Sequence, residues 1–117
     1  EEFPIELFNL SELHSLNLSS NLITNLPEIN NLNYSLLNIN LSQNNLLLID
    51  DGISNLNQLN ILDLSYNSLQ LLPNTIGDLN YLTELDVSNN NLTSIPQNLE
   101  NLISFSSFNI SLSISIC

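Results

Sequence analysis

A 23-residue period governs this chain. Register starts fall at Leu13, Leu36, Leu59, Leu82 and Phe105, and the third unit, LNILDLSYNSLQLLPNTIGDLNY, shows the pattern in full. Counting each start as place zero, places three and five hold Leu16 and Leu18, Ile39 and Leu41, Leu62 and Leu64, Leu85 and Val87, and Phe108 and Ile110. With the starts themselves, all fifteen positions are apolar. A unit this short cannot bury its apolar face alone, so the period demands a stack in which each turn covers the next.

Polar columns run beside the apolar ones. Asn21, Asn44, Asn67 and Asn90 occupy place eight, and Ser19, Ser42, Ser65, Ser88 and Ser111 occupy place six. Pro4, Pro27, Pro73 and Pro96 all fall at place fourteen, where the second unit has Asp50. Extended backward, the register makes FPIELFNL the second half of an earlier unit, with Phe3, Leu7 and Leu10 where Leu72, Ile76 and Leu79 stand later. The chain is therefore one domain, 1–117, with a partial repeat 1–12, repeats 13–35, 36–58, 59–81 and 82–104, and a partial extended terminal repeat 105–117. Ile29 and Leu32 sit one place early in the first unit, so a local slip is expected around Asn30 to Ser35.

These columns resemble leucine-rich repeats of the form LxxLxLxxNxLxxLPxxIxxLxx over nearly the whole chain. The stretch LPNTIGDLNYLTELDVSNNNLTSIP is similar to repeats of plant-type receptors and of Ras-associated scaffold proteins, without the extra Gly of the longer plant form. The resemblance implies a mostly β solenoid of the α/β type. It would be a right-handed coil with a parallel concave sheet of about five strands and an outer side of turns, 3₁₀ or extended segments. Physical reasoning agrees. A short period-2 segment can pair in parallel with its neighbours, inward Leu side chains each contribute roughly 1.5 to 3 kcal/mol on burial, and Asn can satisfy loop backbone. Proline restricts the chain where the outer segment begins, and no long helical pattern follows it.

Charge narrows the function classes. The chain has twelve Asp and Glu and no Lys or Arg, for a formal charge of −12. An absence of both cations over this length is about a one-in-a-million draw at ordinary usage. No Lys or Arg salt bridge is possible, self-repulsion must be offset by burial, hydrogen bonds or counter-ions, and nucleic acid and anionic membrane are poor partners. No apolar run approaches the length of a membrane span. The sequence shows neither an initiator Met nor a signal peptide, so a processed form or a fragment is expected. Cys117 is the single cysteine and can cross-link chains or stay free.

Places two and four of each strand should point outward on the concave face. The fourth-place row is Asn17, Asn40, Asp63, Asp86 and Asn109, with Glu84 beside the two aspartates, and Asn17 and Asn40 are expected to form an amide ladder. Together these six residues are the candidate concave binding surface. Asp63, Glu84 and Asp86 could hold Ca²⁺ or receive a basic partner; a solvated acidic face is the plainer alternative. His14 has no nucleophile and orienting acid within expected reach, so catalysis has no constellation behind it, and the chain is expected not to be an enzyme. Asp50, Asp51 and Gly52 are expected to make an outer turn that replaces the usual Leu-Pro.

Six N-glycosylation sequons occur, at Asn9, Asn17, Asn33, Asn40, Asn91 and Asn109. About four would arise by chance in so Asn- and Ser-rich a chain, because the motif is permissive. Asn33 and Asn91 are expected to be the easiest to reach. No cofactor is expected; calcium and N-linked glycans are the accessories such a chain could carry.

The closing FNISLSISIC alternates apolar and polar residues without a break. Ser113 there replaces the turn Asn, and an extended strand suits pairing with another chain. Phe108, Ile110, Leu112, Ile114, Ile116 and Cys117 are the candidate self-association residues. Glu1 corresponds to place eleven and Cys117 to place twelve, so a second copy would continue the stack almost in register. Two functions follow as expectations: an extracellular or cell-surface structural protein that associates end to end into a fibre or layer, or a recognition module that binds a protein or peptide through its concave face.

Overall fold

A computed structural model describes residues 2–26, 28–103 and 109–113. Short strands recur once per unit: β1 (Ser15–Asn17), β2 (Asn38–Asn40), β3 (Ile61–Asp63), β4 (Glu84–Val87) and β5 (Asn109–Leu112). All pair in parallel, in the order β1-β2-β3-β4-β5. Parallel neighbours need a crossover connection. Here the remainder of each repeat supplies it, and the result is a stack of turns.

The apolar columns form one continuous core. Leu16, Ile39, Leu62 and Leu85 line it from the strands, and Leu36, Leu59 and Leu82 from the starts. Ile23, Leu46, Leu69 and Leu92 enter from beyond the turn, and Ile53, Ile76 and Leu99 from the outer side. Within each strand only the middle residue of the three-residue core points in, as period-2 geometry requires.

Between strand and outer segment the chain must turn sharply. Ser20, Gln43, Tyr66 and Asn89, all at place seven, have φ between 55° and 59°. No glycine fills this column, so side-chain hydrogen bonds hold the turn. The place-eight Asn supplies them. Asn67 Nδ2 donates to Leu64 O and Ser65 O in its own turn and to Leu41 O in the preceding one, while its Oδ1 accepts from Leu46 N. Asn44 and Asn90 repeat the arrangement. Each Asn therefore satisfies buried backbone in two adjacent turns at once.

The outer side carries short helices. 3₁₀ turns span Ile5–Asn9, Asp51–Asn55 and Asn74–Asp78, and a short helix α1 spans Leu99–Ile103. Pro4 and Pro73 stand at the N-caps of the first and third. Asp50 takes the same place in the second unit and caps it differently, its Oδ1 accepting from Gly52 N at 2.9 Å. Pro4, Pro73 and Asp50 thus share a column because each begins a 3₁₀ turn, the prolines by their fixed φ and the aspartate by a side-chain acceptor. Gly52 and Gly77 let these segments approach. A Cβ at Gly77 would lie 2.5 Å from Asn98 O, and one at Gly52 2.7 Å from Ile29 O.

Two expectations about register are sharpened or corrected. The slip in the first unit is local: Ile29 is buried at place sixteen, one place ahead of Ile53 and Ile76, yet β1 and β2 keep the 23-residue offset, Ser15 opposite Asn38. Leu32 is left 53% exposed, and Asn33 takes place twenty, where Leu56, Leu79 and Leu102 are buried in later units. Asn33 is only 7% exposed. Its polar atoms are satisfied there: Nδ2 donates to Phe8 O, and Oδ1 accepts from Ser35 N and Leu36 N. Replacing Asn33 by Ala is expected to cost about 2 kcal/mol, because Phe8 O and two amides lose a buried partner. Replacing exposed Leu32 by Asn should stay within about 0.5 kcal/mol. Urea denaturation of both variants checks the contrast.

The second correction concerns the last unit. β4 pairs with β5 at an offset of 25 residues, Glu84 opposite Asn109 and Asp86 opposite Ser111. Its register start is thus 107 instead of 105. Asn89 N donates to Ser113 Oγ at 2.7 Å, whereas Ser20, Gln43 and Tyr66 N donate to the place-six carbonyls of Ser42, Ser65 and Ser88. Ser113 accordingly stands at place six, not in place of the turn Asn. Ahead of it Leu99–Ile103 is α-helical, rising about 1.5 Å per residue against about 2.0 Å for 3₁₀, so the same path takes more residues. Of the self-association candidates, Phe108, Ile114, Ile116 and Cys117 lie outside the described residues, as do the side chains of Ile110 and Leu112.

Candidate functional site: the concave sheet face

The strands present two outward rows. Ser15, Asn38, Ile61 and Glu84 stand side by side at place two, and Asn17, Asn40, Asp63 and Asp86 at place four. Asn109 stands beside Glu84 in the first row, not beside Asp86 as the uncorrected register implies; Ser111 is the neighbour of Asp86.

Each fourth-place residue is tied to its own turn. Oδ1 of Asn17, Asn40, Asp63 and Asp86 accepts from the backbone N of the Ser two residues on, at 2.9 to 3.0 Å. Ser19, Ser65 and Ser88 add their hydroxyls at 2.6 to 2.7 Å. These are Asx turns. The Ser column exists to make them, a role that the spacing Asx-x-Ser could have disclosed. The expected amide ladder between Asn17 and Asn40 is replaced by these local bonds, because a turn two residues away is the nearer donor. A cross-strand bond does form one row over, from Asn38 Nδ2 to Ser15 Oγ at 3.2 Å.

Asp63, Glu84 and Asp86 share a shallow depression of ≈ 240 Å³ with Ile61, Leu62, Leu85 and Ser111. With one oxygen of each aspartate committed to its Ser, the three carboxylates do not converge. Among the described residues no group of three or more His, Cys, Asp or Glu is placed to hold a metal ion. In this geometry the trio is not a preformed calcium site. The face can still receive cationic groups one carboxylate at a time, each keeping a free oxygen. His14 lies apart, its Nδ1 2.7 Å from Glu12 O.

The sequon asparagines separate by environment. Asn9, Asn17 and Asn91 are exposed and Asn40 is half-buried. Asn33, expected to be accessible, is buried with its amide engaged. The Asn109 side chain lies outside the described residues.

A family model of the leucine rich repeat matches residues 34–92, half of the chain. The chain belongs to the leucine-rich-repeat family. Comparison with curated proteins gives no match. Leucine-rich repeats are typically non-enzymatic modules of protein–protein interaction, and this chain has their parallel sheet, Asn-bonded turns and leucine core. No helix among the described residues is long and apolar enough to cross a membrane.

Proposed function

We propose that this leucine-rich-repeat protein is a recognition module whose concave face, centred on Asp63, Glu84 and Asp86, binds a protein or peptide segment carrying Lys or Arg. The observation behind this reading is a row of outward carboxylates on a rigid parallel sheet, in a chain that has no Lys or Arg of its own to neutralise them. Complementary charge across such a face would speed encounter and set partner choice. Asn17 and Asn40 supply the design of the test, since they make the same Asx turn without charge. Asp63→Asn with Asp86→Asn should keep the fold and remove two charges. With synthetic peptides of equal length, basic ones are expected to bind and acidic ones not, with affinity falling as salt rises. The double variant should weaken that binding about tenfold or more, one 1.4 kcal/mol step. Undiminished binding by the variant would place recognition elsewhere.

A second reading is end-to-end assembly into a fibre or surface layer outside the cell. It draws support from β5, which among the described residues stands last in the sheet, where a further strand could pair with it. On this reading N-linked glycans would sit at the exposed Asn9 and Asn91, and Asn33 would carry none. Analytical ultracentrifugation is expected to show large particles whose size falls when residues 111–117 are removed. A monodisperse monomer would end it.

A further inference from the structure

We propose that β5 is a two-register strand, which exchanges between the 25-residue offset seen here and the 23-residue offset of every other strand pair. Three earlier ladders fix the rule: Ser15 with Asn38, Asn38 with Ile61 and Ile61 with Glu84 are each 23 residues apart. Glu84 with Asn109 departs from it by two residues. Two is the one small shift that a strand can make without turning its apolar side outward.

The sequence around β5 meets both offsets. From Phe108 to Ile116 apolar residues alternate strictly with Asn or Ser, so sliding by two replaces like with like. At the 25-residue offset places three and five, inward in the earlier strands, are assigned to Ile110 and Leu112. At the 23-residue offset they fall to Phe108 and Ile110, with Phe105 at place zero. One register offers aliphatic residues like those of the columns above, and the other offers more apolar bulk. Other strands lack this freedom, because an aspartate or asparagine at place four must meet its Ser at place six. In β5 each register has its own bond: Asn109 and Ser111 stand at places four and six for an Asx turn only at the 23-residue offset, whereas Ser113 Oγ accepts from Asn89 N at the 25-residue offset.

The slide moves the strand by about 6.6 Å, two residues of rise. It also changes the concave face. Glu84 and Asp86 have Asn109 and Ser111 as neighbours in one register, and would have Ser107 and Asn109 in the other. The proposal is independent of what that face binds.

Nuclear Overhauser contacts in the isotope-labelled full chain read the register directly. Glu84 with Asn109 and Asp86 with Ser111 report the 25-residue offset; Glu84 with Ser107 and Asp86 with Asn109 report the other. Both sets are expected, joined by exchange cross-peaks. Two variants should each lock one state. Leu112→Asn puts a polar residue at place five of the 25-residue register, a place that is apolar in every other unit, but at place seven of the other, where Asn89 already adopts the required positive φ. It should leave only the 23-residue set. Phe108→Asn penalises inward place three of the 23-residue register and should leave only the 25-residue set. Contacts between β1, β2, β3 and β4 verify that the rest of the stack stays folded. A single set in the native chain, or a Leu112→Asn chain that retains the 25-residue contacts, overturns the proposal.

Discussion

Asn67→Ala is expected to destabilise the protein by about 3 kcal/mol, because it strips buried backbone of its partners in two turns together. Leu46 N loses its acceptor, and Leu41 O, Leu64 O and Ser65 O lose their donor. Leu41, Leu46 and Leu64 are all fully buried, so water cannot take the place of the amide. Asn21 offers the internal comparison. It is exposed, and among the described residues its side chain bonds Leu18 O and Ser19 O of its own turn. Asn21→Ala should cost about 1 kcal/mol or less. Guanidinium denaturation of both variants tests the ranking, and a fall in slope as well as midpoint would show that the stack has lost cooperativity. Equal costs for the two would mean that the bonds between turns contribute nothing beyond those within a turn.

Gly77→Ala is the second large effect. The new methyl would stand 2.5 Å from Asn98 O and 2.6 Å from Asn98 C, atoms of the next turn's backbone that cannot swing aside. The two turns must separate by several tenths of an ångström or more, which loosens Ile76 against Leu99 in the core between them. Overpacking of this kind costs about 2 to 3 kcal/mol. In a chain of this size that lowers the melting temperature by roughly 10 °C. Gly52→Ala should behave alike, since its methyl would meet Ile29 O at 2.7 Å. Asp78→Ala, next to Gly77 but exposed, should stay within about 0.5 kcal/mol. A Gly77→Ala protein that melts with the parent would show that the outer segments are not in close contact.

The regular units were legible because their signals reinforce one another. In the third unit Leu62, Leu64, Asn67, Leu69, Leu72 and Ile76 all occupy the places their column assigns. Harder to read was the first unit. Leu32 looked like the inward residue by its hydrophobicity, yet Asn33 holds that place and Leu32 faces solvent. Composition could not disclose this, because a polar residue is stable inside only if particular backbone partners, here Phe8 O and the amides of Ser35 and Leu36, are brought to it. The concave site was half legible. Side-by-side placement of Asp63, Glu84 and Asp86 follows from the 23-residue period, whereas the diversion of one aspartate oxygen to each neighbouring Ser depends on the turn's geometry.

By itself the sequence determined the stack, its repeat length, the leucine core, the Asn-bonded turns and the acidic, cation-free surface. All of these depend on interactions that recur at fixed spacing, and recurrence is written in the chain. Only the tertiary structure decided which residue of the pair Leu32 and Asn33 is buried, and brought out that β5 can meet β4 two residues away from the common period. At both points the local pattern permits two answers. In the first case the Phe8 carbonyl of the adjoining turn selects between them; in the second the outer path used up by α1 brings the 25-residue register within reach.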